Sequence, residues 1–307
     1  MIFSHTSVLP EECINGLNIK PDGIYFDCTA GGGGHSARIA KHLKSGTLVA
    51  IDQDPDAIKA ATKALEEFAC AKVVKSNFSE IDSVARELCI SEIDGVLFDL
   101  GVSSHQLDEA SRGFSYKREA PLDMRMSQNG LSAGDVVNTY SEAELSRILF
   151  EYGEERYARN IARNIIKNRE IAPIETTLQL AEIIASSVPA SVRRDKNPSK
   201  RSFQAIRIEV NKELDCLSEG LEKVFSLLKS GGRICVISFH SLEDRLVKQK
   251  FAGWCKGCTC PPDFPQCICG NKPKARLVSK KPILPANEEL KENSRSASAK
   301  LRVLEKL

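Results

Sequence analysis

Between Ile24 and Asp99 the chain repeats one pattern of apolar and polar positions. Ile24-Tyr25-Phe26 is an apolar run closed by Asp27 and the turn Cys28-Thr29-Ala30-Gly31-Gly32-Gly33-Gly34, after which helical spacing takes over from about His35 to Leu43. Leu48-Val49-Ala50-Ile51 is a second run, closed by Asp52. A helix follows, opened by Asp54-Pro55, with Ala57, Ile58, Ala61 and Leu65 along one face. Ala71 to Val74 leads into Asn77-Phe78 and a helix over about Ser79 to Leu88, and Gly95-Val96-Leu97-Phe98 ends at Asp99. Runs that are apolar throughout, separated by amphipathic helices, predict an α/β fold with a mostly parallel sheet covered by helices on both faces.

The rhythm breaks at about Val102, and helical periodicity alone runs to Asn211. This predicts an inserted all-helical domain, with a capping box at Ser141 and Glu144, two helices separated near Gly153, and a helix from about Thr177 that stops before Pro189. Val192 to Arg201 is polar and basic and predicts an exposed loop. The α/β pattern resumes with one helix from about Ile208 to Leu228, a turn at Lys229 to Gly232, a strand over Arg233 to Ser238, and two further strands at Ala275 to Val278 and Lys300 to Leu304. The expected division is 1–105 and 212–307 for the sheet-containing domain, with 106–211 inserted.

Composition narrows the function classes. Lys and Arg number 43 against 41 Asp and Glu, a net charge of +2, so binding to a polyanion must rest on local basic patches. The basic residues of the 192–201 segment, and Arg156, Arg159, Arg163 and Lys167 on the helix before it, are two such patches; a solvated face is the alternative for the second. No apolar run approaches the roughly 20 residues that span a bilayer. The first nine residues lack the charged and apolar regions of a signal peptide. A cytoplasmic protein with neither membrane nor DNA as partner is expected. Six of the eleven cysteines are scattered and read as reduced core thiols. The other five, Cys255, Cys258, Cys260, Cys267 and Cys269, are spaced C-x2-C-x-C-x6-C-x-C; four of them would suffice for a tetrahedral structural zinc site, and reduced thiols in a loop are the other reading.

Ligands of an open parallel sheet bind beyond the carboxyl ends of its strands. Mapped there are Asp27 with Gly31, Gly33, Gly34, His35 and Ser36, then Asp52, Phe78, and Asp99 with Gly101. Asp52 lies 21 residues after Gly31, near the offset of roughly 20 at which an acid accepts the hydroxyls of an adenosine ribose. Ser36 occupies the third glycine position of a dinucleotide G-x-G-x-x-G, and no lysine follows the glycines as a P-loop requires. S-adenosylmethionine suits the turn better: Asp27 suits a sulfonium cation, and an adenine can rest on Phe78. A nicotinamide-dependent oxidoreductase and a non-catalytic RNA-binding or assembly factor built on the cysteine cluster stay open on these grounds. His240, at a strand end, is a site residue or a packed one.

Longer segments carry a resemblance. They are His5-Thr6-Ser7-Val8-Leu9, Asp27 to Ser36, Asp52-Gln53-Asp54-Pro55, Asp99-Leu100-Gly101-Val102-Ser103-Ser104 with Gln106-Leu107-Asp108, Arg112-Gly113-Phe114-Ser115, Pro121 to Met126, Lys200 to Arg207, Ser238 to Arg245, and Ser298 to Arg302. In this order, over nearly the whole chain, they resemble the RsmH/MraW family of ribosomal small-subunit RNA (cytosine-N(4))-methyltransferases. The chain departs from that pattern at Ser294 and Ala297. The resemblance implies a class I S-adenosylmethionine-dependent fold, with donor contacts at Gly34, His35, Ser36, Asp52, Phe78, Asp99 and Gln106. It also implies a decoding-centre cytidine of 16S ribosomal RNA, naked or in the small subunit, as substrate. Asp99 is then the expected catalytic residue, and Arg112, Arg125, Arg193, Arg194, Lys200 and Arg201 the expected RNA-binding residues.

Overall fold

The computed structural model describes residues 7–195, 197–258, 260, 266 and 268–307, with the side chains of 194 and 195 left out. It divides into two compact units, one holding the residues up to Gly101 together with Leu214–Leu307, the other Val102–Glu213. The first unit contains α1 (Pro10–Leu17), β1 (Ile24–Asp27), α2 (Gly34–His42), β2 (Thr47–Asp52), α3 (Pro55–Ala64), β3 (Ala71–Lys75), α4 (Ile81–Glu87) and β4 (Ile93–Asp99). The second contains α5 (Ser104–Asp108), α6 (Ala133–Thr139), α7 (Glu142–Glu151), α8 (Ala158–Arg169), α9 (Thr177–Ser186), α10 (Ala190–Asp195) and α11 (Ser199–Asn211). The chain returns to the first unit through α12 (Glu213–Leu227), β5 (Leu228–Ser238), α13 (Ser241–Cys255), β6 (Ala275–Leu277), α14 (Asn287–Glu292) and β7 (Lys300–Lys306).

The sheet order is β3-β2-β1-β4-β5-β7-β6. The first five strands in that order run parallel, and β7 pairs antiparallel with both β5 and β6. Successive side chains on a strand point to opposite faces, and here both faces are covered. Phe26, Val49, Ile51, Val96, Phe98, Ile234 and Val236 belong to one buried cluster, with Leu217, Leu221, Val224 and Phe251 of α12 and α13. Tyr25, Leu48, Ala50, Leu97, Cys235 and Ile237 belong to the other, with Leu9, Cys13, Leu17, Ile39 and Ala61. That double burial is why the strands read as unbroken apolar runs. The inserted unit has a separate core of Val136, Leu145, Ile148, Ile161, Ile165, Leu180, Ile184, Phe203 and Ile206. No helix among the described residues is long and apolar enough to cross a membrane.

Several expectations need correction. Of the segment expected as a loop, 192–195 end α10 and 199–201 begin α11, where Ser199, Ser202 and Phe203 are buried while Lys200 and Arg201 stay exposed. Two small serines hide the buried side of this helix from a reading of apolar spacing. The single helix over 208–228 is two, broken at Lys212, which takes a left-handed conformation with φ of 49°. The turn at 229–232 is a bulge inside β5: Leu228 pairs with Ile93 and Arg233 with Gly95, so four residues face a single one, Asp94. Cys89 is exposed, unlike the buried Cys13, Cys28 and Cys235. Helices α1 and α13 have no counterpart among the expected elements; they begin respectively at a left-handed Leu9 and at the His240 cap.

Candidate active site

The sheet order reverses between β1 and β4, whose carboxyl ends therefore border the crevice in which ligands of such sheets bind. Short bonds tie these ends together. The Asp99 backbone N–H donates to Thr29 Oγ1 at 2.6 Å, Cys28 N–H donates to the Leu97 carbonyl at 2.9 Å, and Ala30 N–H donates to the Ile51 carbonyl at 2.9 Å. Asp52, at the end of β2, accepts from the N–H of Gly31 through Oδ2 and from that of Asp54 through Oδ1, each at 2.9 Å. Its carboxylate thereby locks the glycine turn to the start of α3. Burial pushes its pKa up to about 6, against those two hydrogen bonds and with help from the nearby charges of Asp54 and Asp27.

Gly31 and Gly33 take left-handed φ of 50° and 83°. At Gly33 an added Cβ would stand 2.7 Å from the Ala64 Cβ, whereas at Gly31 the nearest atom would be 3.8 Å away. Gly33 therefore serves helix packing, and Gly31 leaves open space beside the backbone.

His35, in the first turn of α2, is 6% exposed, and its Nε2 lies 3.6 Å from Asp99 Oδ2, just beyond a full hydrogen bond. Burial disfavours its charged form. The incipient hydrogen bond to Asp99 and the charge of that carboxylate, with Asp27 beyond, outweigh burial and hold its pKa above the usual imidazole value. Both ring nitrogens of His35 and Oδ1 of Asp99 are buried without a hydrogen-bond partner. Unsatisfied polar atoms on facing residues at a strand end are costly to leave, so they mark a place where a ligand completes the set.

Other expected site residues separate by burial. Asp27 is sealed off: it is 0% exposed, accepts a 2.5 Å bond from the equally buried Ser36 hydroxyl and another from Thr29 N–H, and burial raises its pKa. Asp27 and Ser36 thus brace the turn from behind, a role that spacing along the chain cannot distinguish from ligand contact. Gly34 opens α2, and a Cβ there would collide with the Ser7 hydroxyl. Phe78 is half-buried, edge-on to Phe98 with centroids 5.4 Å apart, and lies against Gly220. Gln106 is buried in the inserted unit, its Oε1 accepting from Ser103 N–H in a capping box.

Arg112, expected to bind RNA, is buried. It is 7% exposed, with its guanidinium donating to the carbonyls of Arg125 and Met126. Arg125 is held by Asp123, with Nη2 at 2.7 Å. Arg193, Lys200 and Arg201 are exposed; the Arg194 side chain lies outside the described residues. His240 proves to be a helix cap, its Nδ1 accepting from Glu243 N–H while Glu243 accepts from the N–H groups of Phe239 and His240. Cys258, Cys260 and Cys269 come together, Cys255 is not with them, and Cys267 is outside the described residues.

The inserted unit also holds a cavity that the expected site residues do not include. It measures about 630 Å³ and is lined by Arg147, Phe150, Arg156, Tyr157 and Arg159, with Phe150 66% exposed. Phe150 stands off the buried stripe of Leu145, Ile148 and Leu149, which is the signal that would have found it.

The five-stranded parallel run, the antiparallel β7 between β5 and β6, and polar residues gathered at the β1, β2 and β4 ends define a protein of the class I methyltransferase type. The chain belongs to the MraW methylase family, whose model matches residues 2–307. It is 55% identical to the ribosomal RNA small subunit methyltransferase H of Clostridium botulinum (strain Kyoto / Type A2) over 309 aligned positions, covering 100% of both chains. It is likewise 55% identical to the protein of the same name from Lachnospira eligens over 311 positions, covering 100% of this chain and 99% of the relative.

Proposed function

We propose that the protein transfers a methyl group from S-adenosylmethionine to the exocyclic N4 amino group of a decoding-centre cytidine in 16S ribosomal RNA. Its partner is that RNA or the small subunit, and its place of work is the cytoplasm. The observation that carries the reading is the His35–Asp99 pair at the strand-order reversal, with buried polar atoms left unsatisfied, in a chain that is 55% identical over its whole length to proteins named for this class of reaction.

Asp52 retains lone pairs for the ribose hydroxyls of the donor beyond those taken by Gly31 and Asp54, the open side of Gly31 admits a ligand against backbone, and Phe78 offers an apolar ring. When bound, the donor supplies an electrophilic methyl group on a sulfonium centre. The cytosine amino nitrogen is a poor nucleophile because its lone pair is delocalised into the ring. Asp99 Oδ1, accepting one of its N–H groups, localises that lone pair and aligns it for attack. His35 Nε2 stands beside the other Asp99 oxygen and orients the carboxylate. No covalent enzyme intermediate is needed, since the attacking atom is nitrogen, and the proton released leaves to solvent.

The base must be presented unstacked. The inserted unit supplies the RNA surface in this reading, through Arg193, Arg194, Lys200 and Arg201, and through the arginine-lined cavity around Phe150, where a base can stack and phosphates can pair. Incubation of the purified protein with methyl-tritiated donor and either small subunits or naked 16S RNA, followed by nucleoside mass mapping, tests the proposal. N4-methylcytidine at one site is expected; label on another atom, or none in either substrate, would overturn it.

A further inference from the structure

The loop between α13 and β6 has little to hold it by burial. None of the described residues from Lys256 to Lys274 is buried, and Ile268 is 76% exposed. Its base is nonetheless closed: Lys274 N–H donates to the Trp254 carbonyl at 2.8 Å, and Asn271 Nδ2 donates to the Gly257 carbonyl at 2.9 Å. Within it the sulfurs of Cys258, Cys260 and Cys269 all lie within 4.8 Å of one another. A segment this small, with none of its described residues buried, needs a cross-link to keep one conformation.

We propose that Cys258, Cys260 and Cys269 bind a zinc ion that clasps this loop. Four sulfurs at about 2.3 Å from a tetrahedral ion are spaced about 3.8 Å apart, and Cys258 Sγ and Cys269 Sγ stand 3.8 Å apart. That spacing is far from the roughly 2.05 Å of a disulfide. Backbone N–H groups also point at the sulfurs, from Ile268 to Cys260 at 3.4 Å and from Asn271 to Cys269 at 3.5 Å, an arrangement that stabilises thiolate charge. Thiolates are soft ligands and select zinc over magnesium or calcium. Cys255, on α13, lies outside this group, so the ligand set begins at the second cysteine of the C-x2-C pair. The site is separate from the residues of the proposed reaction, and its role is structural.

The full-length protein, purified under reductant without chelator, should carry one zinc ion per chain by mass spectrometry of the metal. Cobalt(II) exchanged into it should give thiolate-to-metal charge-transfer absorption. Cys258→Ser and Cys269→Ser should each lose the ion, and Cys255→Ser should keep it, while all three still bind S-adenosylmethionine, which shows them folded. Absence of bound zinc and cobalt in the wild type overturns the proposal. So does equal loss in Cys255→Ser, or a Cys258–Cys269 disulfide in protein prepared anaerobically.

Discussion

His35 Nε2 stands 3.6 Å from Asp99 Oδ2, and the opposite carboxylate oxygen, Oδ1, is buried with nothing to accept from. The first contact fixes the carboxylate, and the second atom is the one left for a ligand. Replacing Asp99 by Asn keeps the volume and removes the charge. Loss of one such preorganised group lowers turnover by about 10²–10³. Single-turnover methylation should therefore slow by that factor with circular dichroism unchanged; near-normal turnover would defeat the assignment of Asp99.

The same pair sets the titration of His35. In the native protein the attraction of Asp99 outweighs burial, so the imidazole holds its proton above its ordinary value of 6.5. In Asp99→Asn burial remains and most of the attraction is gone, so the sign reverses. NMR titration should find His35 above the ordinary value in the wild type and below it in the variant.

Asp52 titrates at about 6, raised from 3.8 chiefly by burial. Ribose hydroxyls donate to the charged form, so donor affinity should be constant above pH 7 and fall by about tenfold per pH unit well below 6. Isothermal titration at several pH values checks this, and Asp52→Asn should show weak affinity without that pH dependence. Without donor the linkage runs the other way. A pKa raised in the folded state contributes stability that is present below 3.8 and lost as pH rises through 6, so the stability of wild type relative to Asp52→Asn should fall between pH 3.5 and pH 8.

Gly33 and Gly231 have nearly the same φ, 83° and 79°, but different surroundings: a Cβ would meet Ala64 at the first and nothing within 4 Å at the second. Gly231→Ala should cost only the left-handed backbone penalty, about 1–2 kcal/mol. Gly33→Ala should cost more in denaturant melts and also weaken donor binding, since α2 and α3 must separate to admit it.

Basic residues of the inserted unit should divide into two groups. Lys200→Ala with Arg201→Ala should weaken RNA binding and flatten its salt dependence by about 0.7–0.9 for each phosphate no longer neutralised, with little change in stability. Arg112→Met should instead destabilise the inserted unit by about 2 kcal/mol, because the carbonyls of Arg125 and Met126 are left without a charged donor. Filter binding at several salt concentrations and thermal melts separate the two.

Much of the fold was legible in the chain itself. Strands buried on both faces leave unbroken apolar runs, and Asp27, Asp52 and Asp99 mark where those runs stop, so local pattern alone placed the parallel sheet and the carboxyl ends of its strands. Tertiary structure decided which carboxylate keeps an unsatisfied oxygen. Asp27 and Asp99 close their strands alike in sequence, but Ser36 turns back onto Asp27 and seals it, while Asp99 meets His35 and keeps an unsatisfied oxygen. It also decided that Arg112 is buried, that 192–195 and 199–201 are helical, and which three cysteines meet. Residue type and spacing are properties of the chain, and they set local conformation through periodicity and caps. Burial and partnership depend on what distant segments bring alongside, and those are known only once the chain has folded.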